Sequence, residues 1–92
     1  MDYSFWAEWD GNKYHVEVDD ITRNEWRTLR QELGKNQQEL LLGLMQTDLD
    51  VIAGVLWTVM RRDDADVQLD DLDITYRSII DASEGEQANP PD

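Results

Sequence analysis

Few side chains in this sequence could serve as a nucleophile, a general base or a metal ligand. The absence of cysteine excludes disulfides, thiolate chemistry and sulfur-ligated zinc. The single histidine, His15, falls on a predicted strand beside Trp6, where we expect a solvated strand residue. Carboxylates are abundant, but no predicted pocket would remove one of them from water. The sequence therefore predicts a protein that is not an enzyme and needs no cofactor.

The acidic stretch from Asp63 to Asp73 raises the question of a calcium loop. Asp63, Asp64 and Asp66 lack the alternate spacing of such a loop, and its sixth-position glycine and twelfth-position glutamate are both missing. We therefore expect a solvated acidic face and no metal site.

Charge is the most informative feature of the composition. The 92 residues include 21 acids and 8 bases, which gives a formal net charge of −13, and 40% of the residues are hydrophobic. This charge repels nucleic acid and anionic membranes, so neither is an expected partner, and it keeps the chain soluble. The length suits one domain with one core.

No segment of the sequence reads as a membrane or export signal. The longest apolar run, Val51 to Met60, is too short to cross a bilayer, and the first residues lack the basic and then apolar pattern of a secretory signal. We therefore expect a cytoplasmic protein.

The first eighteen residues predict a β-hairpin. Residues 3–18 alternate around Asp10-Gly11, a dipeptide typical of a two-residue hairpin turn. Trp6 and His15 face each other on the polar side, where so large an aromatic predicts a partner contact unless its ring stacks on His15 or is covered by the C-terminal segment. The register puts four pairs on the opposite, buried side: Trp9–Asn12, Ala7–Tyr14, Phe5–Val16 and Tyr3–Val18.

Capping signals mark two helices after the hairpin. Thr22 and Glu25 have the spacing of a capping box, and Gly34 is placed to end this first helix in a left-handed conformation. Asn36 and Glu39 repeat the capping pattern and open a second helix.

The second and third helices carry most of the apolar residues. Residues 40–45 are nearly all apolar, which is more surface than so small a domain readily buries and predicts a partner or self-association. A third helix capped by Thr47 or Asp48 runs to about Arg62 and is apolar nearly all round, as expected of a central helix. The candidate contacts on these helices are Leu41, Leu44, Met45 and, beside the small residues Ala53 and Gly54, Trp57, for which core packing is the alternative.

The composition changes after Arg62. Residues 63–92 hold ten acids and one base, while apolar residues between 67 and 80 predict one or two short helical turns against the core. From Ser83 onward nothing is left to bury, which predicts a disordered acidic tail over 83–92. The predicted fold is α+β, mainly α: one domain over 1–82, in which the hairpin (3–18) packs on a bundle of three to four short helices.

Taken in order, several of these residues form a pattern that resembles the small tail assembly chaperones of long-tailed bacteriophages. The resemblance covers roughly residues 10–75. A proline often follows the glycine turn in that family, whereas this chain has Lys35-Asn36 there. The pattern runs Thr22-x-x-Glu25-Trp26-x-x-Leu29, Gly34, Asp48-x-Asp50-x-x-Ala53-x-x-x-Trp57-x-x-x-Arg61-Arg62 and Asp66-Val67-x-x-Asp70-Asp71-Leu72.

The resemblance implies partners and a location. Such a chaperone is acidic and mostly helical, coats the tape measure protein, helps to recruit major tail tube subunits, works in the host cytoplasm and is absent from the mature virion. On this hypothesis Trp6, the second helix and the flank around Trp57 contact the client, and the acidic C-terminal third supplies solubility. Two alternatives remain open: a DNA mimic that inhibits a nucleic-acid-binding protein, and a small structural protein of the virion.

Overall fold

In the computed structural model, which describes residues 3–80, the chain folds as an N-terminal β-hairpin packed on three α-helices. This confirms the predicted α+β, mainly α fold. The predicted tail over 83–92 lies outside the described residues. The strands are β1 (Ser4–Trp9), β2 (Asn12–Glu17) and β3 (Ile79–Ile80), and the helices are α1 (Arg23–Leu33), α2 (Gln37–Met45) and α3 (Leu49–Arg61). Single 3₁₀ turns lie at Val18–Asp20, Leu69–Asp71 and Tyr76–Ser78.

The hairpin has the register that its turn predicts. Asp10 and Gly11 both adopt left-handed backbone angles, with φ of 54° and 79°, because this geometry matches the twist of the two strands. Phe5, Ala7 and Val16 are buried on one side of the hairpin, so this side of the hairpin forms part of the hydrophobic core. The predicted pairs Trp9–Asn12, Ala7–Tyr14, Phe5–Val16 and Trp6–His15 are all present.

Both predicted capping boxes are formed. The Thr22 hydroxyl accepts a hydrogen bond from the Glu25 backbone N–H, and the Glu25 carboxylate accepts one from the Thr22 backbone N–H. Asn36 and Glu39 form the same reciprocal pair at the start of α2. Gly34 ends α1 with a φ of 64°, where a side chain would be strained. These local signals determine where α1 and α2 begin and where α1 ends.

α3 is the central helix of the fold. Asp48 caps its first turn by accepting a hydrogen bond from the Asp50 backbone N–H, and residues 51–58 are all buried. α1 packs closely against Gly54, where a Cβ atom would come within 2.9 Å of methyl groups of both Leu29 and Leu33. The groove of small residues that the sequence predicts for a partner helix is therefore filled by α1 of the same chain.

The segment after α3 returns to the hairpin. Its two 3₁₀ turns confirm the predicted short helical turns, and Leu72 and Ile74 lie in the core between them. β3 was not predicted: Ile79 and Ile80 pair antiparallel with Ala7 and Trp6, which makes β1 the middle strand in the order β2-β1-β3. Two residues are too few to show the alternation by which a strand is recognised in sequence.

Thr47 is strained in the turn between α2 and α3. Its φ is 57°, and a β-branched residue is disfavoured in this left-handed region. Replacing Thr47 by glycine should therefore raise the free energy of unfolding by about 1 kcal/mol, after allowing for the greater freedom of glycine in the unfolded chain. In a domain of this size that is a rise of about 5 °C in Tm, measurable by circular dichroism.

The matched control for Thr47→Gly is Gly34→Ala, at the left-handed end of α1. It introduces the same strain that Thr47→Gly removes, so its Tm should fall. A lower Tm for Thr47→Gly would show that the threonine side chain makes a contact worth more than the backbone strain.

Candidate protein-binding surface

The solvent-facing side of α2 carries an apolar stripe. Leu42 and Met45 are 49% and 71% exposed, and Leu41 beside them is half-buried. With Gln38, these residues have the i, i+3, i+4, i+7 spacing that places side chains on one helical face. We call Leu41, Leu42 and Met45 the α2 stripe.

The opposite side of α2 fixes the stripe in place. Leu40 and Leu44 are buried in the core, and Gly43 lies so close to α3 that a Cβ atom there would be 2.5 Å from a Val51 methyl carbon. The Tyr3 hydroxyl donates a hydrogen bond of 3.2 Å to the Leu44 carbonyl oxygen, which ties the hairpin to the end of α2. Burial raises the pKa of this phenol. The stripe therefore sits on a rigid helix held from two sides.

Two residues predicted as partner contacts lie in the core. Leu44 is 2% exposed, because it is on the face of α2 that packs inward. Trp57 is 6% exposed, and its indole N–H donates a hydrogen bond of 3.0 Å to the Val67 carbonyl oxygen. Neither side chain is accessible to a partner in this structure, so we correct both predictions and assign these residues to the core.

Leu42 is the residue that the sequence reasoning did not select. Among residues 3–80, the large hydrophobic residues that are exposed are Leu42, Met45 and Tyr76. Because residues 40–45 are apolar on every side, the sequence pattern alone cannot say which of them face solvent. The contact of Gly43 with α3 supplies that information, because it sets the rotation of α2 about its axis.

Trp6 is partly covered by its cross-strand neighbour. Its ring stacks on His15 with centroids 4.7 Å apart and planes 16° apart, the arrangement that the sequence offered as the alternative to a partner contact. The Trp6 indole nitrogen is buried and has no hydrogen-bond acceptor among the residues that the structure describes. A partner contact at Trp6 stays a prediction, and we do not include this residue in the surface.

An ion pair joins the start of α1 to the end of α3. The Arg62 guanidinium donates two hydrogen bonds of 2.9 Å to the two Glu25 carboxylate oxygens, a bidentate geometry. The hydrogen bonds from Arg62, with those from Thr22, hold the pKa of Glu25 below its ordinary value despite partial burial. This pair links α1 to the C-terminal end of α3, whereas α2, which carries the stripe, precedes the N-terminal end of α3.

The acidic residues between Asp63 and Asp73 are exposed to solvent. Within residues 3–80, no group of three or more His, Asp or Glu side chains is arranged to hold a metal ion. The exposed acids in this segment are Asp63, Asp64, Asp66, Asp70, Asp71 and Asp73. Their solvated negative charge opposes nonspecific aggregation.

In the described range no single helix is long and apolar enough to cross a membrane, and α2 with α3 reaches that length only as a pair bent by 106°.

No protein-family model, no curated protein and no solved structure matches this chain.

Proposed function

We propose that this protein is a tail assembly chaperone that binds an apolar helix of a phage tape measure protein through the α2 stripe. The observation that carries the proposal is the exposure of Leu42 and Met45 on a rigid helix of a domain whose net charge is −13. The sequence resemblance described above supplies the identity of the client.

The geometry of the α2 stripe suits a helical client. Leu41, Leu42 and Met45 form a narrow apolar line on one helical face, and two such lines pack together when amphipathic helices associate. Leu42 and Met45 also differ in shape, and the flexible thioether of methionine adapts to varied partner side chains. A chaperone that coats a long client needs such tolerance, because successive client segments differ in sequence.

The net negative charge of the protein also has a role in this proposal. A long apolar helix aggregates unless its exposed faces are covered, and each bound copy of this chain would add a formal charge of −13 to the complex. Mutual repulsion then keeps the coated complexes apart. The resemblance to tail assembly chaperones further implies a transient factor of the host cytoplasm, which helps to recruit tail tube subunits and is left out of the mature virion.

Co-expression tests the proposal directly. A tape measure protein from the same phage should move from the insoluble to the soluble fraction when both proteins are produced together, and the two should purify as a complex. Equal client solubility with and without this protein would contradict the proposal. Detection of the protein by mass spectrometry in purified virions would instead favour a structural virion component.

The exposed acids between Asp63 and Asp73 favour one alternative, a DNA mimic that occupies a nucleic-acid-binding protein. Binding by such a mimic depends on many ion pairs and weakens steeply as salt rises. Binding through the α2 stripe is apolar and should persist at moderate salt. Measuring the Kd of the complex between 50 mM and about 500 mM salt distinguishes the two functions.

A further inference from the structure

A cleft of about 260 Å³ lies between the first turns of α1 and the last turn of α3. Its volume is several times the roughly 30 Å³ that one water molecule takes up in the liquid. The cleft holds two of the eight basic residues of this strongly acidic chain, Arg61 and Arg62. The other lining residues are Asn24, Glu25, Thr28 and Thr58.

One of the two arginines is already neutralised. Arg62 is engaged by both carboxylate oxygens of Glu25 and also lies 3.4 Å from the Asp20 carbonyl oxygen. Arg61 has no hydrogen-bond acceptor and no acidic partner within residues 3–80. The cleft therefore presents one uncompensated positive charge.

Arg61 is held in position by an aromatic ring. Its guanidinium carbon lies 4.7 Å from the centroid of the Trp57 ring, and the Trp57 ring is itself buried and hydrogen-bonded to Val67. This cation–π contact is not a hydrogen bond, so it leaves the N–H donors of the guanidinium available to a ligand. A fixed, half-buried guanidinium loses little side-chain entropy when it binds a ligand.

The neighbouring polar groups limit what the ligand can be. The Thr28 and Thr58 hydroxyls donate to the carbonyl oxygens of Asn24 and Gly54, so their protons are committed. The Asn24 amide has no such partner among the described residues and can donate alongside Arg61. Oxygen acceptors also line the cleft, but Arg61 is its one charged side chain without a partner of opposite charge in the described range, which predicts a ligand that carries negative charge.

We infer that this cleft binds the carboxylate of an aspartate or glutamate side chain that a protein partner supplies. A carboxylate matches the edge of a guanidinium with two parallel hydrogen bonds. As a monoanion it neutralises Arg61, whereas a phosphate dianion would add charge to a chain that already carries −13. A lone ion pair at a protein surface is weak, so the carboxylate acts as an anchor within a larger interface. The inference does not depend on what the α2 stripe binds.

NMR with acetate as the probe tests this site on the full chain. Acetate replaces chloride at constant ionic strength, and the Arg61 Nε–H and Trp57 indole N–H signals should shift and saturate. Arg61→Lys keeps the charge but loses the planar pair of donors, so its affinity for acetate should be about tenfold weaker. Arg77→Gln removes an exposed arginine outside the cleft and should leave binding unchanged.

Asn24→Asp gives a second test that does not alter Arg61. It places a carboxylate in the cleft and in the first turn of α1, where negative charge stabilises a helix, so the variant should fold. This internal carboxylate should abolish acetate binding. Shifts that do not saturate, or that are equal in Arg61→Lys and Arg77→Gln, would overturn the inference. Tighter binding of inorganic phosphate than of acetate would also overturn it, because the cleft would then be a phosphate site.

Discussion

Replacing Leu42 and Met45 together by glutamine is expected to weaken binding of the client about 30-fold. The two side chains are 49% and 71% exposed in the free protein. Burying their apolar surface against a client helix should contribute roughly 2 kcal/mol of binding free energy, which the variant loses. Glutamine has nearly the helix propensity of leucine and methionine, so α2 should keep its structure. Isothermal calorimetry with a soluble client fragment measures the Kd of both proteins.

Tyr76→Gln is the matched control for the stripe variant. Tyr76 is 64% exposed and lies outside α2, so the substitution removes an exposed large hydrophobic residue without touching the stripe. Its client affinity should equal that of the wild type. All three proteins should have the same Tm within a few degrees, since exposed substitutions change stability little. Full client binding by the stripe variant would place the client elsewhere, and a loss in Tyr76→Gln alone would point to the C-terminal segment.

The sequence predicted the hairpin and the helix ends because those features depend on local signals. Asp10-Gly11 sets the register of the strands, and Thr22, Gly34 and Asn36 fix helix ends through contacts within a few residues. Each signal acts through backbone geometry that no distant part of the chain can easily override. The agreement between local preference and the final fold is strongest there.

The candidate surface was harder to predict because it depends on long-range packing. Leu42 faces solvent and Leu44 faces the core, although both belong to the same apolar run. For Trp57 the sequence pattern allows both a partner contact and core packing, and the contacts with Val67 and Arg61 show that it packs in the core. Whether such a residue faces solvent or the core depends on contacts between elements that are far apart in sequence. Neither hydrophobic periodicity nor composition predicts those contacts.

The contact between Gly43 and Val51 is the packing feature on which the orientation of the stripe depends. Replacing Gly43 by alanine would put a Cβ atom 2.5 Å from a Val51 methyl carbon and 3.1 Å from its Cβ. Val51 is buried and its β-branched side chain is stiff, so the helices must move apart. The overpacking outweighs the better helix propensity of alanine, and we expect a loss of about 2 kcal/mol and a fall of about 10 °C in Tm.

A double-mutant cycle separates this clash from a general intolerance of α2 to substitution. Val51→Ala alone leaves a cavity and should cost about 2 kcal/mol, but in the Gly43→Ala background it also removes the clash. The double variant should therefore lose at least 1 kcal/mol less than the sum of the single losses. Gly54→Ala is the control, because the Leu29 and Leu33 methyl groups it meets are at the ends of flexible side chains and can move, so its loss should be smaller. Additive losses at Gly43 and Val51 would show that this contact does not set the position of α2, and the orientation of the α2 stripe would then need another cause.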